Sequence, residues 1–190
     1  IKENKLENKP IIALLAGSRA QEINYILPRL VDLSKHYPDY QFVVAGAPSL
    51  SQSLYQKYLD ATNVKYIYNK TYELMMQSTA AVVASGTATL EAALLNVPQI
   101  VCYGGSEISF QIAKRLVKVK YISLVNLIAD REIVRELIQR DMNLENIKNE
   151  LDSLLPGGKK RDKMLKSYSE IQKMLGTPGA SYRVAQAIVN

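Results

Sequence analysis

The chain has 190 residues, and 47% of them are hydrophobic, which is enough for one sizeable core. It carries 24 Lys and Arg against 18 Asp and Glu, and this net charge of +6 favours anionic partners such as nucleotides, nucleic acid or a membrane surface. A single cysteine excludes a disulfide framework, and no apolar run reaches the ~18 residues that cross a bilayer.

Apolar runs alternate with amphipathic stretches along the first two thirds of the chain. The runs predict strands at 11–16, 41–45, 64–68, 80–84, 99–103 and 121–125. Helical spacing of apolar residues predicts helices at 20–36, with Pro28 kinking the helix, and at 49–61, 72–77, 87–96 and 108–119. Strands and helices in alternation predict an α/β fold, a Rossmann-like parallel sheet flanked by helices.

The remainder of the chain predicts helices only. Amphipathic spacing indicates helices at 131–140, 144–155, 159–175 and 180–189, with a break at Pro156-Gly157-Gly158. We therefore expect a linker from a preceding domain at 1–9, one α/β domain at 10–156 and a helical extension at 157–190. The sequence leaves open whether the last helix packs on its own domain or on a partner.

The stretch from residue 82 to residue 91, VVASGTATLE, predicts a strand that ends where a helix begins. Gly86 permits a tight turn, and hydroxyls at Thr87 and Thr89 are able to cap the helix. The free N–H groups of a helix start attract anions, while Glu91 in the same helix is placed to accept hydrogen bonds from ribose hydroxyls. The alternative is a helix cap that serves stability alone.

Two further loops follow predicted strands and carry similar residues. Gly17-Ser18-Arg19 combines close backbone approach, a hydroxyl and a guanidinium that can bind a diphosphate, and the loop at 103–106 reads YGGS. Neither GxGxxG after the first strand nor a P-loop motif is present. Because βα loops gather at the carboxyl edge of a parallel sheet, an anion site is predicted there. For Arg19 the alternative is an ordinary solvated helix start.

Three segments resemble the C-terminal half of the lipid-A-disaccharide synthase family: LLAGSR at 14–19, ASGTATLE at 84–91 and FQIAKRLVKVKYISLVNLIADREIVRELIQ at 110–139. The resemblance covers nearly the whole chain from Pro10 onward. It implies a GT-B glycosyltransferase in which the domain at 10–156 binds a UDP-sugar.

The family resemblance also implies a reaction. Such enzymes transfer 2,3-diacylglucosamine, with inversion, from UDP-2,3-diacylglucosamine to 2,3-diacylglucosamine 1-phosphate (lipid X). The products are lipid A disaccharide 1-phosphate and UDP. A general base is expected in the preceding half of the protein, so this chain alone is expected to be inactive. Further implied partners are that N-terminal half and a second copy bound through the C-terminal helices.

The resemblance assigns roles to individual residues. Ser18 and Arg19 would hold the diphosphate together with Ser85 to Thr89, Glu91 would bind the ribose, and the strand end at Ile67 and Tyr68 would face uracil. Asn126, Glu136 and Gln139 would lie near the donor sugar, with helix-surface polarity as the alternative. No cofactor or metal is implied. The implied substrate-binding residues are Gly17, Ser18, Arg19, Tyr68, Ser85, Gly86, Thr87, Ala88, Thr89, Glu91, Asn126, Glu136 and Gln139.

A basic stretch precedes the sixth predicted strand, and it contains Lys114, Arg115, Lys118 and Lys120. A solvated face is the ordinary interpretation. Because the implied substrates are acylated, we also expect contact with an anionic membrane, which would place the protein in the cytoplasm, on the inner face of the inner membrane of a Gram-negative bacterium.

Three other functions remain open at this stage. A non-hydrolysing UDP-GlcNAc 2-epimerase and a peptidoglycan-type GlcNAc transferase share the GT-B architecture. A basic nucleic-acid-binding module would explain the charge and the 12 tyrosines, but the sequence has no motif typical of one, and we expect no nucleic-acid partner.

Overall fold

The structure, a computed structural model, describes residues 6–104 and 120–176. Within these residues six strands form one sheet, with helices on both faces, and the predicted fold class is confirmed. The strands are β1 Ile11–Leu15, β2 Gln41–Gly46, β3 Lys65–Tyr68, β4 Ser78–Ala84, β5 Gln99–Tyr103 and β6 Glu136–Ile138. The helices are α1 Ala20–Ser34, α2 Gln52–Leu59, α3 Thr71–Met76, α4 Thr87–Leu94, α5 Leu124–Ala129, α6 Leu144–Leu154 and α7 Arg161–Leu175.

The strands lie in the order β3-β2-β1-β4-β5-β6, and every neighbouring pair is parallel. The chain builds outward from β1 to β3, then returns to the other side of β1 to add β4, β5 and β6. Open parallel sheets bind ligands at the carboxyl ends of the strands where this direction reverses. Here the reversal lies between β1 and β4, the two strands whose following loops carry the strongest sequence motifs.

Strand β1 is buried on both faces, as its continuous apolar run predicts. Its alternate residues enter two separate cores, because successive side chains of a strand point to opposite faces. Ile12 and Leu14 pack in the core that includes α1, α6 and α7, and Ile11 and Leu15 pack in the core that includes α3 and α4. β1 therefore joins the two layers of helices and fixes the loop that follows it.

Helix α7 belongs to the larger of these two cores. Met164, Tyr168 and Ile171 are each at most 3% exposed, and Gln99 at the start of β5 donates from Nε2 to Tyr168 Oη at 3.3 Å. The predicted domain boundary at residue 157 stays a prediction, yet the helix beyond it packs directly against the sheet.

The predicted strand at 121–125 is wrong. Ser123 instead caps α5, because its Oγ accepts a hydrogen bond from the Asn126 backbone N–H at 3.3 Å. The N–H groups of Ile122 and Ser123 bond to the carboxylate of Glu136, at 3.0 Å each, and not to a neighbouring strand. The apolar alternation of YISLV reflects burial around a capped turn.

The predicted helix at 131–140 is also wrong, since its second half contains the edge strand β6. Val101 of β5 donates to the Arg135 carbonyl at 2.9 Å, and β6 continues the sheet in parallel. The preceding turn has non-helical geometry because the side chain of Asn126 binds the N–H groups of Ile133 and Val134. A side chain from another element thus overrides the local helical pattern.

The other predicted elements within the described residues are confirmed to within a few residues at their ends, and α1 continues through Pro28. Cys102 is completely buried in β5, and burial raises the pKa of its thiol to about 12. The predicted helices at 108–119 and 180–189 lie outside the described residues.

Candidate functional site

A cleft of about 400 Å³ opens at the carboxyl edge of the sheet, between the loops that follow β1 and β4. The β2–α2 loop and the first turn of α3 complete its wall. Its polar and small lining residues are Gly17, Ser18, Arg19, Glu22, Ala47, Pro48, Thr71, Ser85, Gly86, Thr87, Ala88 and Glu91. The structure thus brings together eight of the predicted residues. The other five predicted residues lie outside the lining: Tyr68, Thr89, Asn126, Glu136 and Gln139.

The amino end of α4 presents backbone N–H groups to the cleft. Gly86 is the N-cap residue, Thr87 and Ala88 follow, and no side chain caps this end. The first N–H groups of a helix have no partner within it, and the helix dipole places partial positive charge there. A Cβ atom built on Gly86 would meet no atom within 4 Å, so the backbone is open to the cleft. This geometry suits a bound anion.

Two of the predicted hydroxyl donors are already engaged elsewhere. Thr89 is fully buried, and its Oγ1 donates to the Gly86 carbonyl at 2.8 Å, so it shapes the turn from inside. Ser85 lines the cleft, but its Oγ donates to the Ile122 carbonyl at 3.0 Å. The groups that remain for a ligand at this loop are therefore the amides and the Thr87 hydroxyl.

The β1–α1 loop is held by a residue that the sequence analysis overlooked. Glu22 accepts hydrogen bonds at Oε2 from the backbone N–H of Ser18, at 3.0 Å, and of Arg19, at 3.3 Å. Its Oε1 lies 3.2 Å from Nη1 of Arg19. The sequence signal was an acidic residue three positions after the helix N-cap, the spacing of a capping box. These two loop amides are thus satisfied within the chain.

Among the described residues, three charged side chains line the cleft, and two of them are acidic: Arg19, Glu22 and Glu91. Glu91 faces the hydroxyl of Tyr72, and its negative charge raises the pKa of that tyrosine. Because the side chains sum to one negative charge, attraction of an anion depends on the α4 amides as well as on the guanidinium.

Tyr68 lies at the end of β3, beside the cleft. It is 54% exposed, and its hydroxyl donates to the carbonyl of Pro48, a lining residue, at 3.4 Å. The preceding Ile67 is buried in the core. The tyrosine ring therefore stands on the rim of the cleft, next to the β2–α2 loop.

Asn126, which is fully buried, and Glu136, which is half-buried in β6, form a hydrogen-bond network, so neither is a polar residue on a helix surface. Asn126 Nδ2 donates to Glu136 Oε1 at 2.9 Å and to the Val134 carbonyl at 2.8 Å. Glu136 in turn holds the N–H of Ile122, whose carbonyl accepts the hydrogen bond from Ser85. The two residues thus support one wall of the cleft from behind.

Gln139 follows β6 and differs from Asn126 and Glu136, the other two residues predicted to lie near the donor sugar. Its side chain is almost fully buried, yet within residues 6–104 and 120–176 neither Oε1 nor Nε2 has a hydrogen-bond partner. Its φ of 50° is in the left-handed region, which disfavours residues other than glycine and asparagine. The side-chain amide is thus uncommitted.

Of the four basic residues predicted to face a membrane, only Lys120 is among the described residues. Its Nζ lies 3.8 Å from the Asp130 carboxylate and 5.0 Å from the centre of the Tyr121 ring. Lys114, Arg115 and Lys118 lie outside the described residues. No helix in residues 6–104 and 120–176 is long and apolar enough to cross a membrane.

A second cleft, of about 380 Å³, lies among α6, α7 and the segment before β6. Most of its cations are paired, Arg131 with Glu170, Arg135 with Glu132 and Lys160 with Glu150. It contains none of the predicted site residues. In the described part of the chain, no cluster of His, Cys, Asp and Glu is suited to a metal ion.

Comparison with known proteins gives consistent results. The sequence model of the lipid-A-disaccharide synthetase family matches residues 1–188. Lipid-A-disaccharide synthase from Anaeromyxobacter dehalogenans (strain 2CP-C) is 38% identical in an alignment 185 residues long that covers 94% of this chain and 48% of that protein. The chain therefore spans about half the length of the curated relatives it matches.

Two solved structures show the same fold at low sequence identity. The glycotransferase of kitacinnamycin aligns with a TM-score of 0.61 and 14% identity, over 95% of this chain and 42% of that one. UDP-GlcNAc 2-epimerase from Neisseria meningitidis, bound to UDP-GlcNAc, aligns with a TM-score of 0.54 and 20% identity, over 90% and 44%.

The role of Asn126 as a structural link can be tested by substitution. Asn126→Ala leaves the N–H groups of Ile133 and Val134 and the Val134 carbonyl without partners, so we expect the free energy of unfolding to fall by at least about 3 kcal/mol. Urea unfolding followed by circular dichroism measures this change. Leu127→Ala, at an exposed position of the same helix, is the matched control and should cost about 1 kcal/mol or less. Equal stability of the two variants would contradict the structural role.

Proposed function

Because the chain belongs to the lipid-A-disaccharide synthetase family, we propose that its cleft binds the nucleotide part of a UDP-sugar. The observation that carries the proposal is the uncapped amino end of α4, which faces Arg19 across the cleft. A diphosphate would bridge these two groups. The alternative functions that share the fold would use the same nucleotide, so UDP binding is the first property to establish.

The diphosphate is proposed to bind the amides of Gly86, Thr87 and Ala88 and the guanidinium of Arg19. Helix-start amides are fixed in direction, and a guanidinium binds two phosphate oxygens at once. Ser18, which lines the same wall, adds a hydroxyl. When the bond to the sugar breaks, negative charge collects on the departing diphosphate, and these groups would stabilise it.

The nucleoside would extend from the diphosphate along α4 toward β3. Glu91 lies in the second turn of α4 and would accept hydrogen bonds from the ribose hydroxyls, which requires it to exchange partners with Tyr72. Uracil would then lie at the rim formed by Ile67, Tyr68 and Pro48. The exposed ring of Tyr68 offers a face for stacking.

Asn126, Glu136 and Gln139 are predicted to lie near the donor sugar, and their hydrogen bonds indicate different roles for them. The buried amide of Gln139 has no partner among the described residues, so it is the group proposed to contact the sugar, which requires the side chain to become accessible. The polar groups of Asn126 and Glu136 are already satisfied within the fold. They would act by holding the segment at residues 122–123 against Ser85. Thr89 would act likewise, from inside the turn.

We further propose that the whole protein performs the transfer implied by its family, from UDP-2,3-diacylglucosamine to lipid X. The chain supplies the UDP-binding half, and the acceptor site and general base are proposed to lie in sequence that its relatives carry and this chain does not. Since both substrates are acylated, the reaction is proposed to take place on the cytoplasmic face of the inner membrane, with the protein bound peripherally.

Removal of the guanidinium should weaken UDP binding. For Arg19→Ala we expect the dissociation constant for UDP, measured by calorimetry, to rise about tenfold to a hundredfold, because hydrogen bonds to a charged group contribute about 1.5–3 kcal/mol. Lys35→Ala removes the same charge from an exposed site outside the cleft and should change little. Since no metal is proposed, EDTA should leave the affinity unaltered. Equal affinity of Arg19→Ala and the unaltered chain, or preference for an oligonucleotide over UDP, would contradict the proposal.

A single methyl group can test the contribution of the α4 amides. Gly86 has an extended backbone that any residue adopts, and its Cβ position is empty space within the cleft. Gly86→Ala should therefore leave the free energy of unfolding unchanged or raise it by up to about 1 kcal/mol. The methyl group would keep phosphate from the amides, so UDP affinity should fall at least about tenfold. Full affinity in this variant would place the diphosphate elsewhere.

The transfer reaction needs a protein with the whole length of the relatives. Such a protein, given UDP-2,3-diacylglucosamine and lipid X in anionic phospholipid vesicles, should release UDP only when both substrates are present, and it should sediment with the vesicles. Release of UDP without lipid X, or none with both, would refute the proposed reaction. Protein that stays in the supernatant would refute the membrane assignment alone.

A further inference from the structure

The two carboxylate oxygens of Glu22 have different roles. Oε2 accepts hydrogen bonds from the N–H groups of Ser18 and Arg19, whereas Oε1 faces the Arg19 guanidinium at 3.2 Å. The Glu22 side chain is 19% exposed and that of Arg19 is 82% exposed, so the carboxylate is fixed and the cation is free to move. The group proposed for the diphosphate is thus already paired with an anion within the chain.

We propose that Glu22 determines which anions the cleft accepts, because an incoming ligand must take the Arg19 guanidinium from this carboxylate. The inference rests on the proposed function, since it takes the ligand to be a nucleoside diphosphate. One oxygen of Glu22 keeps the loop in place throughout. The other releases Arg19 when the ligand binds and pairs with it again when the ligand leaves.

The physical basis is competition between charges of the same sign. A diphosphate brings at least two negative charges and also gains the amides at the start of α4, which Glu22 does not contact. A ligand with one charge gains less from the exchange, and a neutral nucleoside gains nothing. Glu22 therefore lowers the affinity for anions in general, while it provides a partner for Arg19 within the chain. The release of UDP, a product of the proposed reaction, becomes easier because Glu22 competes with it for Arg19.

The loop geometry supports a fixed carboxylate at this position. Gly17 has a φ of 113°, in the region that favours glycine, and a Cβ atom there would lie 2.3 Å from Oε2 of Glu22. The absence of a side chain at residue 17 is thus what allows Glu22 to approach the loop. Glutamine at position 22 would fit the same space and could still accept both hydrogen bonds through its carbonyl oxygen.

Glu22→Gln is the test, because it keeps the amide contacts and removes the charge. We expect UDP affinity, measured by calorimetry at low ionic strength, to rise about twofold to fivefold, the range for an exposed ion pair. The affinity for uridine should not change, and the gain for UMP should lie between the two. Raised salt should reduce the gain, since it screens the competing charges. The ratio of UDP to uridine affinity within one preparation is independent of the amount of folded protein.

Two controls separate charge competition from support of the loop. Glu22→Asp retains the charge and should not bind UDP more tightly than the unaltered chain. In the Arg19→Gln background, Glu22→Gln should have no effect on UDP affinity, because the contested cation is gone. The inference is overturned if Glu22→Gln leaves UDP affinity unchanged or weakens all three ligands alike. Failure of the unaltered chain to bind UDP would instead overturn the proposed function.

Discussion

The parallel pairing of β1 with β4 is the constraint on which the cleft depends. These strands lie side by side although more than 60 residues separate them, and each ends at the same edge of the sheet. Their register sets Leu15 beside Val83, so the β1–α1 loop and the start of α4 face each other across a single opening. Neither loop alone would distinguish an anion site from an ordinary helix start. The sheet places both loops on the same cleft, and this placement is the basis of the proposed binding site.

The electrostatics of the cleft follow from what each loop leaves unsatisfied. At the β1–α1 loop a carboxylate from its own helix already binds the amides, while at α4 the amides remain open. The backbone dipoles at the start of α4 therefore supply a fixed positive potential. The exposed side chain of Arg19 supplies a positive charge that can move. The described residues of this cleft contribute no large excess of cationic side chains, and the proposed diphosphate site depends on the α4 amides together with Arg19.

Much of the fold could be predicted from local patterns, because β1, β2, β4 and β5 are apolar runs bounded by clear turn residues. The region from 121 to 140 could not, because its conformation is set by Asn126 and Glu136, whose side chains bind backbone groups up to 14 residues away. For the site, motifs and family resemblance predicted residues of both loops, and the structure places these residues around one cleft. They missed Glu22, although its capping-box spacing was a sequence signal, and they did not show that the Thr89 hydroxyl is buried and bonded to the Gly86 carbonyl.

The most direct test of the central claim is an amide chemical-shift titration of the ¹⁵N-labelled chain with UDP. If the diphosphate binds the start of α4, the largest shifts should occur at the N–H groups of Gly86, Thr87 and Ala88, with smaller ones at Ser18 and Arg19. Shifts confined to the second cleft, around Arg131 and Lys163, or the absence of shifts at saturating UDP, would contradict it.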